Sequence, residues 1–478
     1  MIYHKKHLIK GILWSGIDKI GVVVIQLFLE LILARNLSPA DYGIIGMATI
    51  FITLGAIFSE SGFSNALIHN QQRNEVDFAT AFYFNLFISI FFVVVIFFAA
   101  PFAAEYFKMP LLTNVLRIAS LSVIFSAATM VQKTKLSIWM DFKTQSKVSL
   151  IALLCSGVVG VYMAMNGFGV WSLVTQIVLQ SFLTFVLLAF FVKWMPGFIF
   201  SFQAFKKLFS YGSNLLWAGL LQNVYVNLYN LLIGKRYNAS TLGLYSKSNQ
   251  FTFMPSSLIS GILQRVMFPY FASFQHDNDK IYAFNQQYTR MICLAILPLF
   301  LYLSIFAEPL VYYGLSIKWI EAVPIIKILS IAYIFQPIIV NNMILFQVKN
   351  KTNLFFFIEI ITKITGIIIL VLTIEHGIVA ICLGILIQLC LQFLITGSTV
   401  YFLLKRNIFS QLLLIGPYLL YAGCCGLLLY YFQQYFLLFR INYLLVGSLL
   451  FMVLYAIFYF FFERKNILFI MNILKSKS

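Results

Sequence analysis

A chain of 478 residues with 61% hydrophobic and only 10% charged residues is not a soluble domain, which carries about 25% charged residues. The formal net charge of +18 would suit nucleic acid in a soluble protein. Here most Lys and Arg stand in short connectors beside apolar runs, where anionic lipid surfaces attract them, so nucleic-acid binding is set aside.

In chain order, from Leu8 to Phe462, the apolar runs predict helices near residues 9–34, 41–67, 78–104, 111–131, 147–165, 170–192, 208–234, 251–274, 288–307, 322–346, 353–374, 377–403, 409–433 and 441–462. Each run approaches the ~20 residues a helix needs to cross hydrocarbon. The expected fold is all-α and polytopic, with about fourteen spans. The basic start, with Lys5, Lys6 and Lys10, leads into a span holding Asp18, Lys19 and Glu30 without a small-residue cleavage site, and reads as a retained first helix. All six cysteines fall inside apolar spans, with no Cys/His spacing of a metal site.

An even number of spans puts both termini on one side. That side collects 21 Lys and Arg against 7 opposite, and five more fall within spans. Positive charge stays inside, so both termini are expected on the cytoplasmic side.

The chain also repeats itself. At an offset of 200, Leu31-Ile32-Leu33-Ala34-Arg35 aligns with Leu231-Leu232-Ile233-Gly234-Lys235, and Gly43-Ile44 with Gly243-Leu244. At an offset of 208, Gly169-Val170 matches Gly377-Ile378. We therefore expect a six-helix lobe over 1–195, a parallel six-helix lobe over 196–404, and helices thirteen and fourteen appended over 405–478. Such repeats place a transport site between lobes. The first lobe's prolines, Pro39, Pro101, Pro110 and Pro196, read as connector residues, whereas Pro255, Pro269, Pro298 and Pro337 lie in or at the ends of helices. Helical proline favours bending, so the second lobe is expected to be the one that bends.

Ser38-Pro39-Ala40-Asp41 has the form of a capping box that opens the second helix, and Asn238 takes the matching place in the second lobe. Charges and amides inside spans are the stronger functional lead, because a charge in hydrocarbon costs ~3 kcal/mol or more unless it meets water or a partner. In the first helix Asp18, Gln26 and Glu30 fall on one i, i+4 stripe. Asn223, Asn227 and Asn230 mark the seventh helix, with Asn230 at the place of Glu30. Both stripes are expected to face a hydrated cleft, the alternative being hydrogen bonds between helices.

The stretches LARNLSPADYG (33–43), SESGFSNALI (59–68), GFGVWSLV (167–174), LIGKRYNASTLGLYSKS (232–248) and LQRVMFPYF (263–271) resemble polysaccharide transporters of the lipopolysaccharide-biosynthesis, Wzx-like type, within the multidrug/oligosaccharidyl-lipid/polysaccharide exporter superfamily. The resemblance spans nearly the whole chain; one departure is Lys247, where Arg is more usual. It implies a flippase for an undecaprenyl-pyrophosphate-linked oligosaccharide, working by alternating access. Its implied partners are the lipid-linked substrate, membrane lipids, a coupling cation (H+ or Na+) and other polysaccharide assembly proteins, with no cofactor.

An anionic pyrophosphate needs a wet, partly cationic path. Lys19, Arg265 and Lys363 are the candidate cations within spans, and Lys363 has Glu359 one turn before it as an alternative ion-pair partner. Glu60, in the SESGF stretch, is a carboxylate for packing or ion coupling. Competing readings are a multidrug or cation antiporter, a lipid II flippase and, outside transporters, a membrane glycan polymerase or ligase. Against the last stand the short outer connectors and the lack of a recognisable catalytic grouping.

Overall fold

The computed structural model describes residues 21–23, 25–407, 409–438 and 443–462, apart from the side chains at 214, 218, 262, 263, 265, 266, 269, 430, 432–438, 443–445 and 457–462. Each of the fourteen expected spans overlaps a helical stretch, and no strand occurs among the described residues. Among the described residues, ten helical stretches are long and apolar enough to cross a bilayer. The protein is an all-α, multi-pass membrane protein.

The chain divides into two compact units, residues 1–246 and 247–478. The first begins with α1 (residues 25–36) and continues with α2 (Pro39–Glu60), α3 (Phe63–His69), α4 (Glu75–Tyr106), α5 (Leu112–Ala119), α6 (Leu121–Ile138), α7 (Phe142–Met165), α8 (Val170–Val192) and α9 (Phe202–Arg236). The division falls inside α10 (Ala239–Ala272). Thus α9, the seventh span, packs with the first unit, on α2, α3 and α4.

Local chemistry explains these boundaries. Ser38 accepts from the Asp41 backbone N–H (3.3 Å) and its own N–H donates to the Asp41 carboxylate (2.9 Å), which is the expected capping box. Asn238 does the same service for α10, accepting from the Thr241 N–H at 2.8 Å. Two consecutive left-handed residues, Ser61 (φ 46°) and Gly62 (φ 71°), separate α2 from α3, a break that a side chain at position 62 would strain.

The repeat has a physical counterpart inside the first unit. A methyl group built on Gly43 would lie 1.8 Å from the Ala239 carbonyl oxygen, and one on Gly243 would lie 1.7 Å from the Pro39 carbonyl oxygen. Position 39 meets 243 as 239 meets 43, which is the reciprocity of a two-fold axis. The α1–α2 and α9–α10 turns therefore meet backbone to backbone, and only glycine admits that approach.

Three sequence expectations change. Only Tyr237 and Asn238 separate α9 from α10, where a longer outer loop was expected, and Lys247, counted in that loop, is a buried residue of α10. The intervening polar residues reflect a helix that is not wrapped in lipid rather than a connector. Likewise Gln132-Lys133-Thr134-Lys135 continues α6, because no Gly or Pro intervenes before the Asp141 cap of α7. Pro101 lies inside α4, a place membrane helices tolerate. The proline contrast between lobes is weaker by that residue.

The second unit continues with α11 (Asn278–Ile305), the short α12 (Ala307–Leu310), α13 (Val323–Tyr333), α14 (Gln336–Val348), α15 (Thr352–Thr373), α16 (Ile378–Leu403), α17 (Ser410–Leu438) and α18 (Tyr443–Phe462). Here α16 packs on α13, α14 and α15, and α17 on α11. Asp277 caps α11 by accepting from the Lys280 N–H at 3.0 Å, and that bond holds its carboxyl below the usual range.

Candidate functional site

The first unit contains a cavity of about 290 Å³ between α2, α3, α6 and α7. Its polar lining comprises Glu60, Lys133, the hydroxyls of Ser59, Ser64, Ser126 and Ser137, and Gln145; Ala56, Ala127 and Met130 complete it. Glu60 and Lys133 belong to membrane-spanning stretches, yet both side chains are solvent-accessible. The recess opens at the ends of these helices, where Glu60 closes α2 and Lys133, Ser137 and Gln145 flank the α6–α7 turn. Glu60 is the last residue of α2, where the helix dipole disfavours a carboxylate. The facing Lys133 ammonium offsets that cost. Neither closes an ion pair or a hydrogen bond among the described residues, so both keep their bonding capacity.

The serines are held in place by backbone. Ser59 donates to the Gly55 carbonyl (2.7 Å) and Ser137 to the Lys133 carbonyl (3.0 Å), which leaves their oxygen lone pairs as acceptors. Ser64 meets the Thr134 hydroxyl at 2.9 Å. Phe63, the first residue of α3, is buried with Leu67, Phe78, Met130 and Leu208, and this core packs against the α2–α3 break beside Glu60.

Two residues along α6, Lys135 points elsewhere. It is 5% exposed, forms an ion pair with Glu75 at 2.7 Å, and lies over the rings of Phe78 (4.4 Å) and Trp194 (4.8 Å). Trp194 in turn donates to Glu75 at 2.8 Å. That is a structural clamp between α4, α6 and the segment after α8.

The expected site residues do not form one group. Asp18 and Lys19 lie outside the described residues, and Arg265 is placed in α10 by its backbone while its side chain is outside them. Gln26 is half-buried in α1. Glu30 accepts from the Tyr42 hydroxyl at 3.2 Å, and Asn230, 200 positions on, accepts from the Ser246 hydroxyl at 3.2 Å, so both places bond into the following helix, though through residues that are not repeat equivalents. Asn227 bonds within its own helix to Asn223 (3.2 Å). Lys363, midway along α15, is 3.6 Å from Glu359, the i, i+4 ion pair. Glu60 alone of these lines the cavity. Its partner Lys133 was assigned to a connector, although the unbroken run to Ile138 was a readable sign that the helix continues.

The second unit holds a polar cluster of another kind. Asn341 donates to Asn285 at 2.6 Å, while Asn342 and Gln411 exchange amide bonds at 3.1 and 3.2 Å, with Thr396 beside them at 3.3 Å. Asn285, Asn341, Asn342 and Thr396 are fully buried. These bonds tie α11, α14, α16 and α17 together without a charge.

Comparison with known proteins bears on the whole chain. Residues 32–324 match the model of a family described as polysaccharide biosynthesis protein. The teichuronic acid biosynthesis protein TuaB of Bacillus subtilis (strain 168) is 24% identical over 354 residues, covering 74% of this chain and 73% of TuaB. The succinoglycan biosynthesis transport protein ExoT of Rhizobium meliloti (strain 1021) is 24% identical over 327 residues, 68% of this chain and 66% of ExoT. Among solved structures, lipid II flippase MurJ in an inward closed conformation superimposes with a TM-score of 0.71, covering 94% of this chain and 99% of MurJ at 16% identity. At that identity the likeness establishes a shared fold.

Proposed function

The chain belongs to the polysaccharide biosynthesis protein family, and from that premise we propose that it flips a polyprenyl-pyrophosphate-linked oligosaccharide across the cytoplasmic membrane for surface polysaccharide assembly. The observation that carries this reading is the cavity at Glu60 and Lys133: charged, serine-lined and open at the ends of apolar, bilayer-length helices. A lipid anchor passes hydrocarbon without help, but each sugar hydroxyl stripped of water without a partner costs several kcal/mol. A polar recess within a helix bundle is what such a cargo requires. Two relatives named for teichuronic acid biosynthesis and for succinoglycan biosynthesis transport support a glycan cargo.

In this reading the six-helix lobes over 1–195 and 196–404 alternate access, helices thirteen and fourteen (405–478) are appended, and both termini are cytoplasmic. The cavity then opens towards the cytoplasm, where α2 and α6 end. Lys19, Arg265 and Lys363 stand as pyrophosphate contacts and a cation, H+ or Na+, drives the cycle. The test is deletion of the chain with identification of the lipid-linked species that accumulates. A glycan-bearing lipid diphosphate on the cytoplasmic leaflet, cleared when the chain is restored, is the expected result. Accumulation of lipid II, or of nothing, would overturn the assignment.

A further inference from the structure

We propose that the recess bounded by Glu60 and Lys133 is a subsite for a single uncharged sugar of the cargo, and not for its diphosphate or for a coupling cation. The inference rests on the flippase reading above and deepens it.

The lining discriminates between these occupants. One carboxylate and one ammonium face each other across the cavity, so its formal charge is zero. A diphosphate needs excess positive charge, and Glu60 would repel it. A monovalent cation needs excess negative charge from converging oxygens, and Lys133 would repel it. A hydroxyl needs neither; it both donates and accepts. Glu60 accepts, Lys133 donates, Gln145 and the Ser126 hydroxyl do both, and the Ser64 hydroxyl, whose proton goes to Thr134, accepts. Bonds from sugar hydroxyls to the two charged groups are the stronger, charge-assisted kind.

Size agrees with one sugar. At about 290 Å³ the recess is at the small end of ligand sites, which run from roughly 300 to 1,000 Å³. It has room for one ring with its hydroxyls, the rest of an oligosaccharide lying outside it. Among the described residues the Glu60 and Lys133 side chains form no ion pair, which leaves more of their acceptor and donor sites to a ligand than a closed pair would.

The experiment uses purified full-length protein in lipid nanodiscs and two probes: the lipid-linked glycan that accumulates in the deletion strain, and undecaprenyl diphosphate carrying no sugar. Two variants are compared with the unaltered chain. Glu60→Gln with Lys133→Met keeps volume and neutrality but removes both charged partners; Ser64→Ala with Ser126→Ala removes two hydroxyls only and serves if the first accumulates poorly. A sugar subsite predicts that the charge variant binds the glycan-bearing lipid about tenfold more weakly, the effect of one charge-assisted bond. The serine variant should lose several-fold, and both should bind the sugar-free lipid as the unaltered protein does. Equal losses for both probes would assign the recess to the diphosphate, and no loss for either would make it solvent space; each overturns the subsite alone. If the unaltered protein fails to bind the glycan-bearing lipid, the flippase reading falls, and the subsite with it.

Discussion

Each unit contains a polar cluster inside an otherwise apolar helix bundle, and the two are built in opposite ways. The first, at Glu60 and Lys133, is charged and exposed, and among the described residues those two side chains do not bond one another. The second, at Asn285, Asn341, Asn342 and Gln411, is neutral, shielded from water and largely self-bonded. A polar group sealed from water must find a partner in the protein or destabilise it. A charge kept wet has no such need and is free to bond a cargo. The distinction between glue and site is therefore one of accessibility, and polarity in the sequence does not by itself reveal it.

The largest effect expected from breaking this contrast lies in the second cluster. Asn341→Leu keeps the volume but strands the Asn285 carbonyl, whose amide nitrogen already lacks a partner among the described residues. Leaving buried groups unpaired costs about 1–3 kcal/mol, and thermal unfolding in detergent should show it as a clear drop in midpoint. Removing both partners, with Asn285→Leu added, should recover most of the loss, since two apolar groups have no unmet bond. A double variant no more stable than the single one would mean that the cluster does more than join helices.

The first cluster should behave in reverse. Glu60→Gln or Lys133→Gln should leave the unfolding midpoint nearly unchanged, because solvated charges contribute little to stability, and should slow flipping about tenfold, equivalent to about 1.4 kcal/mol in a barrier. Combining the two should not restore the rate. Recovery of transport in the double variant would show that the charges serve only each other, and the contrast between the units would disappear.

How much of this was legible follows the same division. The all-α class, the capping box at Ser38 and the repeat at an offset of 200 are local or periodic signals, and the structure adds to the last the reciprocal Gly43–Ala239 and Gly243–Pro39 contacts. Boundaries read from hydropathy failed where a helix turns its polar residues inward: α10 begins at Ala239 although the apolar run starts near 251, and α6 runs to Ile138 past two lysines. Lys133 was hidden for that reason. The amide cluster of the second unit brings together four helices distant in sequence, and no spacing along one chain announces such a meeting. Glu60 could be singled out as a charge in a span, but the choice between site and packing needed the cavity.

The smallest and most discriminating test uses the two lysines of α6. Lys133 and Lys135 are two positions apart and so leave the helix in different directions, one into the wet recess and the other into the clamp with Glu75, Phe78 and Trp194. In the clamp the burden is unequal: the Lys135 side chain is 7% exposed and that of Glu75 is 71% exposed. Removing Lys135 leaves a carboxylate that water can serve, whereas removing Glu75 leaves a buried ammonium held only by ring faces and short of an acceptor. Glu75→Ala should therefore lower stability more than Lys135→Met, with a difference of about 1 kcal/mol or less because the carboxylate is screened by solvent. Neither should change flipping per folded molecule, while Lys133→Gln should. If Lys135→Met slowed transport as much as Lys133→Gln at equal abundance, charge along α6 rather than access to the recess would govern the cargo, and the division drawn between wet and sealed polar groups would fail at its closest pair.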